Sequence, residues 1–173
     1  MADVTSSSYA AVADLHTERL LLRAWTATEA GTVTEGGRLG DWAEDFPEEG
    51  DRVMAPLITA KPDWLGPFGH RLVVERESGL VVGSLGLFWP PTDGEVDLGY
   101  GIVPSRRGRG YATEAARALA EHAYTAAEVK LVFANVEPAN PASVRVLEKA
   151  GFDRAGLGAE EGTDRYELAP PQP

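Results

Sequence analysis

Arg107-Gly108-Arg109-Gly110-Tyr111-Ala112 lies directly after the apolar run Leu98–Val103 and directly before a helical pattern. Read locally, this is a strand, a glycine-bearing turn and a helix start. Glycines at 108 and 110 leave no Cβ between a ligand and the main chain. The first turn of the helix offers N–H groups with no intrahelical acceptor and the positive end of the helix dipole. Such a turn is a seat for a phosphate or pyrophosphate. Arg106, Arg107 and Arg109 add positive charge around it. It is not a P-loop, because no Gly-Lys-Ser/Thr follows at the required spacing. A Gly-x-Gly-x-x-Gly dinucleotide fingerprint fails at Thr113.

Downstream of the turn, Thr113–Ala126 is alanine-rich, with Ala116, Leu119, Ala120 and Ala123 at helical spacing. Val129–Val136 reads as a strand, Asn140–Ala150 as a helix stopped by Gly151, and Phe152–Leu157 with Arg165–Leu168 as a closing hairpin. Upstream, Glu95–Val103 alternates, with Val96, Leu98, Tyr100 and Ile102 on one face. Arg71–Arg76 and Leu80–Trp89 form a hairpin around Glu77-Ser78-Gly79. A helix is expected over Glu48–Ala60, and another from an N-cap at Thr28 through Gly36, with Glu29 in its first turn. Thr17–Trp25 reads as the first strand. Residues 1–14 read as a mobile leader before a single domain over residues 15–170. Strands first and β-α-β-α-β after them predict an α/β (α+β) fold, a mixed central sheet with helices on both faces.

The composition excludes several classes. The chain has 173 residues, 43% hydrophobic and 25% charged, as in ordinary globular domains. No window approaches a membrane span of roughly 18 apolar residues, and the N-terminus lacks a cationic signal-peptide region. The net charge of −11 argues against a nucleic-acid partner. With no cysteine, disulfides and thiolate chemistry are excluded, and a cytoplasmic location is expected. Histidines 16, 70 and 122 are scattered, so no metal is expected.

A second block, Ala134-Asn135-Val136-Glu137-Pro138-Ala139-Asn140-Pro141-Ala142-Ser143 continuing to Phe152, lies about 30 residues beyond the arginine-glycine turn. Together with Asp97-Leu98-Gly99-Tyr100-Gly101-Ile102-Val103-Pro104 and the opening Thr17-Glu18-Arg19-Leu20-Leu21-Leu22-Arg23, it closely resembles the GNAT superfamily of acyl-CoA-dependent N-acetyltransferases. Within that superfamily it looks like the Rim-type branch of ribosomal-protein N-terminal acetyltransferases. The resemblance covers about Thr17 to Leu168. It implies a sheet of about seven strands, splayed between the fourth (Glu95–Val103) and the fifth (Val129–Val136). It also implies acetyl-CoA as co-substrate, an amine-bearing acceptor (a protein N-terminus or a small molecule) and a monomer or homodimer.

The family's Arg/Gln-x-x-Gly-x-Gly/Ala pattern falls on Arg107, Gly110 and Ala112. The resemblance therefore implies that Arg107, Gly108, Arg109, Gly110, Tyr111 and Ala112 bind the carrier's pyrophosphate. Ile102 and Val103 are expected to pair with the pantetheine arm by strand addition. Asn140 and Ser143 are expected near the pantetheine and the thioester sulfur. Asp97 stands where the branch has a glutamate and is the expected base, with Glu95 on the same side of the strand. An ordinary aspartate is a poor base unless burial raises its pKa or a water relays the proton. Leu147 replaces the tyrosine that most members use as acid, so Ser143 is the expected substitute. Trp42, Asp45 and Phe46, in an acidic, aromatic segment that also carries Glu48 and Asp51, are the expected acceptor residues. A non-catalytic acyl-CoA-binding module and a nucleotide-phosphate binder remain as alternatives.

Overall fold

Alternating burial along residues 95–102 makes this segment a strand with one face in the core, and the rest of the molecule is arranged around it. A computed structural model of the chain describes residues 12–172. Of the expected leader, residues 1–11 lie outside the described residues. Five strands run antiparallel in chain order: β1 (Leu15–His16), β2 (Leu20–Ala24), β3 (His70–Glu75), β4 (Leu80–Leu87) and β5 (Glu95–Ile102). β6 (Leu131–Val136) then lies parallel to β5, and β7 (Asp153–Leu157) and β8 (Asp164–Leu168) close the chain. The order across the sheet is β1-β2-β3-β4-β5-β6-β8-β7. The expected seven strands become eight because Leu15–His16 pairs with Leu22 and Leu21 as a short edge strand.

Two helices cover each face. Asp51, on α2 (Glu49–Ala60), accepts a hydrogen bond from Ser84 of β4, and α1 (Ala27–Thr34) packs on α2. On the opposite face, α3 (Tyr111–Ala123) buries Ala115, Ala116, Leu119, Ala120 and Ala123 against β5, β4 and β2. The fourth helix, α4 (Pro141–Lys149), lies beside it, with Arg117 of α3 donating to the Lys149 carbonyl at 2.6 Å. Small alanines let α3 sit close to the sheet, while Leu20, Leu72, Leu87 and Leu119 fill the core with no exposed surface. Each such leucine contributes about 2 kcal/mol by leaving water.

The expected N-cap of α1 is corrected by two residues. Thr26, not Thr28, caps it, because Glu29 lies three residues on and closes a reciprocal pair: the Glu29 N–H donates to the Thr26 hydroxyl and the Thr26 N–H to the Glu29 carboxylate, both at 3.1 Å. The helix after the glycine turn begins at Tyr111 rather than Thr113, which brings its orphan N–H groups directly onto that turn. No helix among the described residues is long and apolar enough to cross a membrane.

Candidate active site

The glycine turn is held from behind. Glu114 of α3 accepts from the Thr17 hydroxyl at 2.5 Å and from the Arg19 main-chain N–H and Nε, both at 2.9 Å. The Arg19 guanidinium also donates to the Arg109 carbonyl at 2.7 Å. The start of β2 and the start of α3 are thus locked together. In front, Gly108 (φ +79°) and Gly110 (φ +81°) occupy left-handed conformations that side-chain-bearing residues rarely adopt. A Cβ on Gly108 would project into open space. The N–H groups of Gly108, Arg109 and Gly110 meet no backbone acceptor among the described residues, and those of the first turn of α3 have no intrahelical one.

The three arginines divide between two protein carboxylates. Arg106 (3.3 Å) and Arg109 (3.2 Å) both bind Glu75, as does the Tyr111 hydroxyl at 2.8 Å. Burial pushes the Glu75 carboxyl up, but hydrogen bonds from Ser78, Tyr111 and Arg106 outweigh it and hold the group below its ordinary range. Arg107 donates to the Ile102 carbonyl at 2.9 Å and to both Glu48 oxygens at 2.9 and 3.2 Å.

Next to this seat the sheet opens. β5 pairs with β6 only over Glu95, Val96 and Asp97. The Asp97 carbonyl and the Val103 N–H are both directed at β4, bonding Phe88 and Val82. By alternation, the main-chain groups of Tyr100 and Ile102 face the opening. Across it stands α4, whose N-cap Asn140 accepts from the Ser143 N–H at 3.3 Å. The Tyr100 hydroxyl spans the gap and donates to the Ser143 carbonyl at 3.1 Å. A cleft of about 680 Å³ runs through this opening. Arg106, Arg107, Arg145 and Lys149 line one part of it, and Glu48 and Asp51 another.

An acetyltransferase (GNAT) domain profile matches residues 19–153. This chain belongs to the GNAT acetyltransferase family. The chain is 28% identical over 86 residues (49% of its length, 48% of the relative's) to an uncharacterized N-acetyltransferase, p20, of Bacillus licheniformis. It thus spans about half the length of the curated relatives it matches. A putative ribosomal-protein-serine acetyltransferase from Vibrio cholerae has the same fold, with TM-score 0.67 and 22% identity over 91% of this chain and 98% of that one. So does AAC(6')-Ib in complex with ribostamycin and coenzyme A, with TM-score 0.62 and 20% identity over 88% and 94%.

The GNAT carrier, an acyl-coenzyme A, fits this cleft on two observations. Open space stands before Gly108 at a ring of unpaired N–H groups, and one edge of β5 lacks a strand partner from Leu98 onward. Of the residues expected to bind the carrier, Ile102, Arg107, Gly108, Gly110, Tyr111, Ala112, Asn140 and Ser143 line the cleft. Val103 does not. Its N–H bonds Val82, its carbonyl accepts from Arg106 and it has no exposed surface, so Tyr100 replaces it at the open edge. Arg109 does not line it either: its guanidinium is turned toward Glu75 and its carbonyl accepts from Arg19.

The structure separates the residues expected to act as base or to hold the acceptor. Asp97 sits beside the cleft wall on the same face of β5 as Gly99 and Gly101, opposite Phe133 of β6. Burial pushes its carboxyl up to about 6, against weaker opposing effects of the Leu98 N–H and Arg165. Glu95 is paired with Arg165 at 3.1 Å. Trp42 and Phe46 pack edge to face at 5.2 Å in the core, and Asp45 accepts two 2.8 Å bonds from Ser105, so none of the three lines the cleft. The acidic segment instead supplies Glu48 and Asp51. His70 and Ser84 also line the cleft. Leu147 is buried in the core and offers no proton.

Proposed function

We propose that this protein transfers an acetyl group from acetyl-coenzyme A to a primary amine, a protein N-terminus or a small molecule, by direct attack within a ternary complex. The observation that carries this reading is the polarity of the cleft. Its cationic part, beside the unpaired N–H groups of the turn, suits a diphosphate. Its acidic part, with Glu48 and Asp51, suits an ammonium. The two meet at the ion pair between Arg107 and Glu48.

Amide formation there makes one C–N bond, breaks one C–S bond and moves one proton from the amine nitrogen to the departing sulfur. The Tyr100 N–H, freed by the splay, supports the carbonyl oxygen as it gains charge. A good donor in such a position is worth roughly 3 kcal/mol. Asp97 takes the amine's proton through a bridging water, since its carboxyl lies just outside the cleft lining. With its pKa raised to about 6, it accepts a proton near neutral pH far better than an ordinary aspartate. An α-amine, about a tenth neutral at pH 7, needs this help less than a lysine amine, neutral in less than about one part in a thousand. Ser143 or Tyr100 hydrogen-bonds the sulfur and returns a proton to it. Burial pushes the Tyr100 phenol up, so it stays protonated.

The neighbours' names include partners as different as a ribosomal protein and ribostamycin, so likeness of fold does not choose the acceptor. The test is thiol release from acetyl-coenzyme A in the presence of peptides, polyamines and aminoglycosides. Release that depends on one amine class is expected. Tight coenzyme A binding with no turnover on any amine would reduce the protein to an acyl-CoA-binding module. Tighter binding of ATP than of coenzyme A would remove the reading altogether.

A further inference from the structure

Five buried side-chain polar atoms among the described residues have no hydrogen-bond partner: Trp25 Nε1, Trp42 Nε1, Arg71 Nε, Asn135 Oδ1 and His70 Nε2. Of these residues, His70 alone lines the cleft. It is 5% exposed and no protein group bonds either ring nitrogen. Buried polar groups are nearly always paired, so an unpaired one at a binding cleft calls for a ligand. The ring is fixed by shape alone. Its centroid lies 4.8 Å from Trp64 and 5.4 Å, edge on, from Phe88. It rests on Gly86, where a Cβ would come within 2.1 Å of Nδ1. Burial pushes its pKa down to about 4, so the ring is neutral near pH 7.

The floor beside it points the same way. Gly86 and Gly99 face each other across β4 and β5, as do Ser84 and Gly101, all on the face covered by α2. A Cβ on Gly99 would press on Phe88 at 3.2 Å, whereas Gly101 has open space above it. A narrow trough remains, with Asp51 and Met54 of α2, Phe88 and His70 along it.

We propose that His70 is an acceptor-binding residue, whose imidazole accepts a hydrogen bond from the incoming amine in the trough above Gly101. This rests on the acetyl-transfer reading and narrows its acceptor to an unhindered primary amine on a slim, apolar stem. The apolar rings fix the stem, the neutral imidazole takes an N–H, and Asp51 offers the complementary charge.

Wild type, His70→Phe and His70→Asn are compared using n-butylamine and benzylamine as acceptors. His70→Phe removes the orphaned nitrogen and keeps an aromatic ring, so its melting temperature equals or exceeds that of wild type. Its coenzyme A affinity stays within about twofold, while the KM for both amines rises about tenfold, the value of one hydrogen bond. His70→Asn, which restores an acceptor atom, recovers part of that loss. An unchanged amine KM in His70→Phe overturns the proposal, as does a loss that His70→Asn fails to recover and that tracks a lowered melting temperature. Wild-type protein that acetylates neither these amines nor any of the wider panel refutes the acetyl-transfer reading, and this inference with it. Turnover by wild type that His70→Phe leaves intact refutes the inference alone.

Discussion

Between Ile102 and Ala112 one piece of chain supplies most of the proposed carrier seat, with unpaired main-chain N–H groups at residues 108–110. The proposed acceptor end of the same cleft draws Glu48 from the cap of α2, Asp51 from α2 itself, His70 from β3, Ser84 from β4 and Gly101 from β5, largely through side chains. The first region is specified by where glycine allows the backbone to go. The second exists only after distant segments have been packed together. Substitutions at the two ends should therefore separate cleanly, one altering carrier affinity and the other altering turnover or acceptor KM.

Asp97 is the sharpest test of that separation. Asp97→Asn is expected to lower turnover by about 10²- to 10⁴-fold, the usual range for a general base, with the coenzyme A dissociation constant unchanged by calorimetry. In wild type, kcat/KM should rise with pH through about 6. The sign on stability is opposite. A carboxyl whose pKa is raised by folding binds its proton more tightly in the folded state. It therefore loses stability as pH climbs from about 4 to about 6. Asn carries no such penalty, so the variant should melt higher than wild type at pH 8 and alike below pH 4. Equal melting at pH 8 would mean that Asp97 is not buried as a charge, and unchanged turnover would move the base elsewhere.

Gly101→Val probes the acceptor end without touching the seat. A strand accepts a β-branched residue, and nothing lies within 4 Å of the added Cβ. Filling the trough should raise the acceptor KM by roughly a hundredfold, within the range for a misfit of one or two methyl groups, with coenzyme A affinity preserved. Loss of both together would show that carrier and acceptor are not held by separate parts of the cleft. Smaller still is the role of the hydroxyls. Ser143→Ala is expected to cost about tenfold to a hundredfold in kcat, and Tyr100→Phe to show whether the phenol shares the task. If neither changes kcat, the sulfur takes its proton from solvent.

The same division explains how far the chain could be read. The strand over 95–103, the glycine turn and the cap of α4 follow from local signals (alternation, glycines at 108 and 110, an asparagine at 140), whereas the splay is implied only by the resemblance to the GNAT superfamily. Val103 was misplaced because strand alternation decides which main-chain groups face the opening, and its phase is set by pairing with Val82 of β4. Trp42 and Phe46 look like a cleft lip in an acidic segment, but aromatic rings next to carboxylates are equally what a core needs at its rim. Asp45 is taken by Ser105, sixty positions away. Glu75, which gathers Arg106, Arg109 and Tyr111, carries no local mark at all. The role of His70 is illegible for the same reason, since its meaning lies in the partner it lacks.

One ion pair joins the two regions, and it carries the smallest expected effect. Arg107, the side chain best placed to meet a diphosphate, is held by Glu48 at 2.9 Å, and Glu48 immediately precedes α2 on the acceptor side. A diphosphate arriving at the turn must compete with that carboxylate. Both side chains are partly exposed, so the pair is worth only about 0.2–1 kcal/mol. Glu48→Gln should accordingly tighten coenzyme A binding by no more than about fivefold at low salt. The gain should shrink as added salt screens the pair in wild type. If Glu48→Gln instead weakens binding, the carboxylate serves to aim Arg107 at the seat rather than to compete for it. The two ends of the cleft would then be coupled through orientation and not through charge.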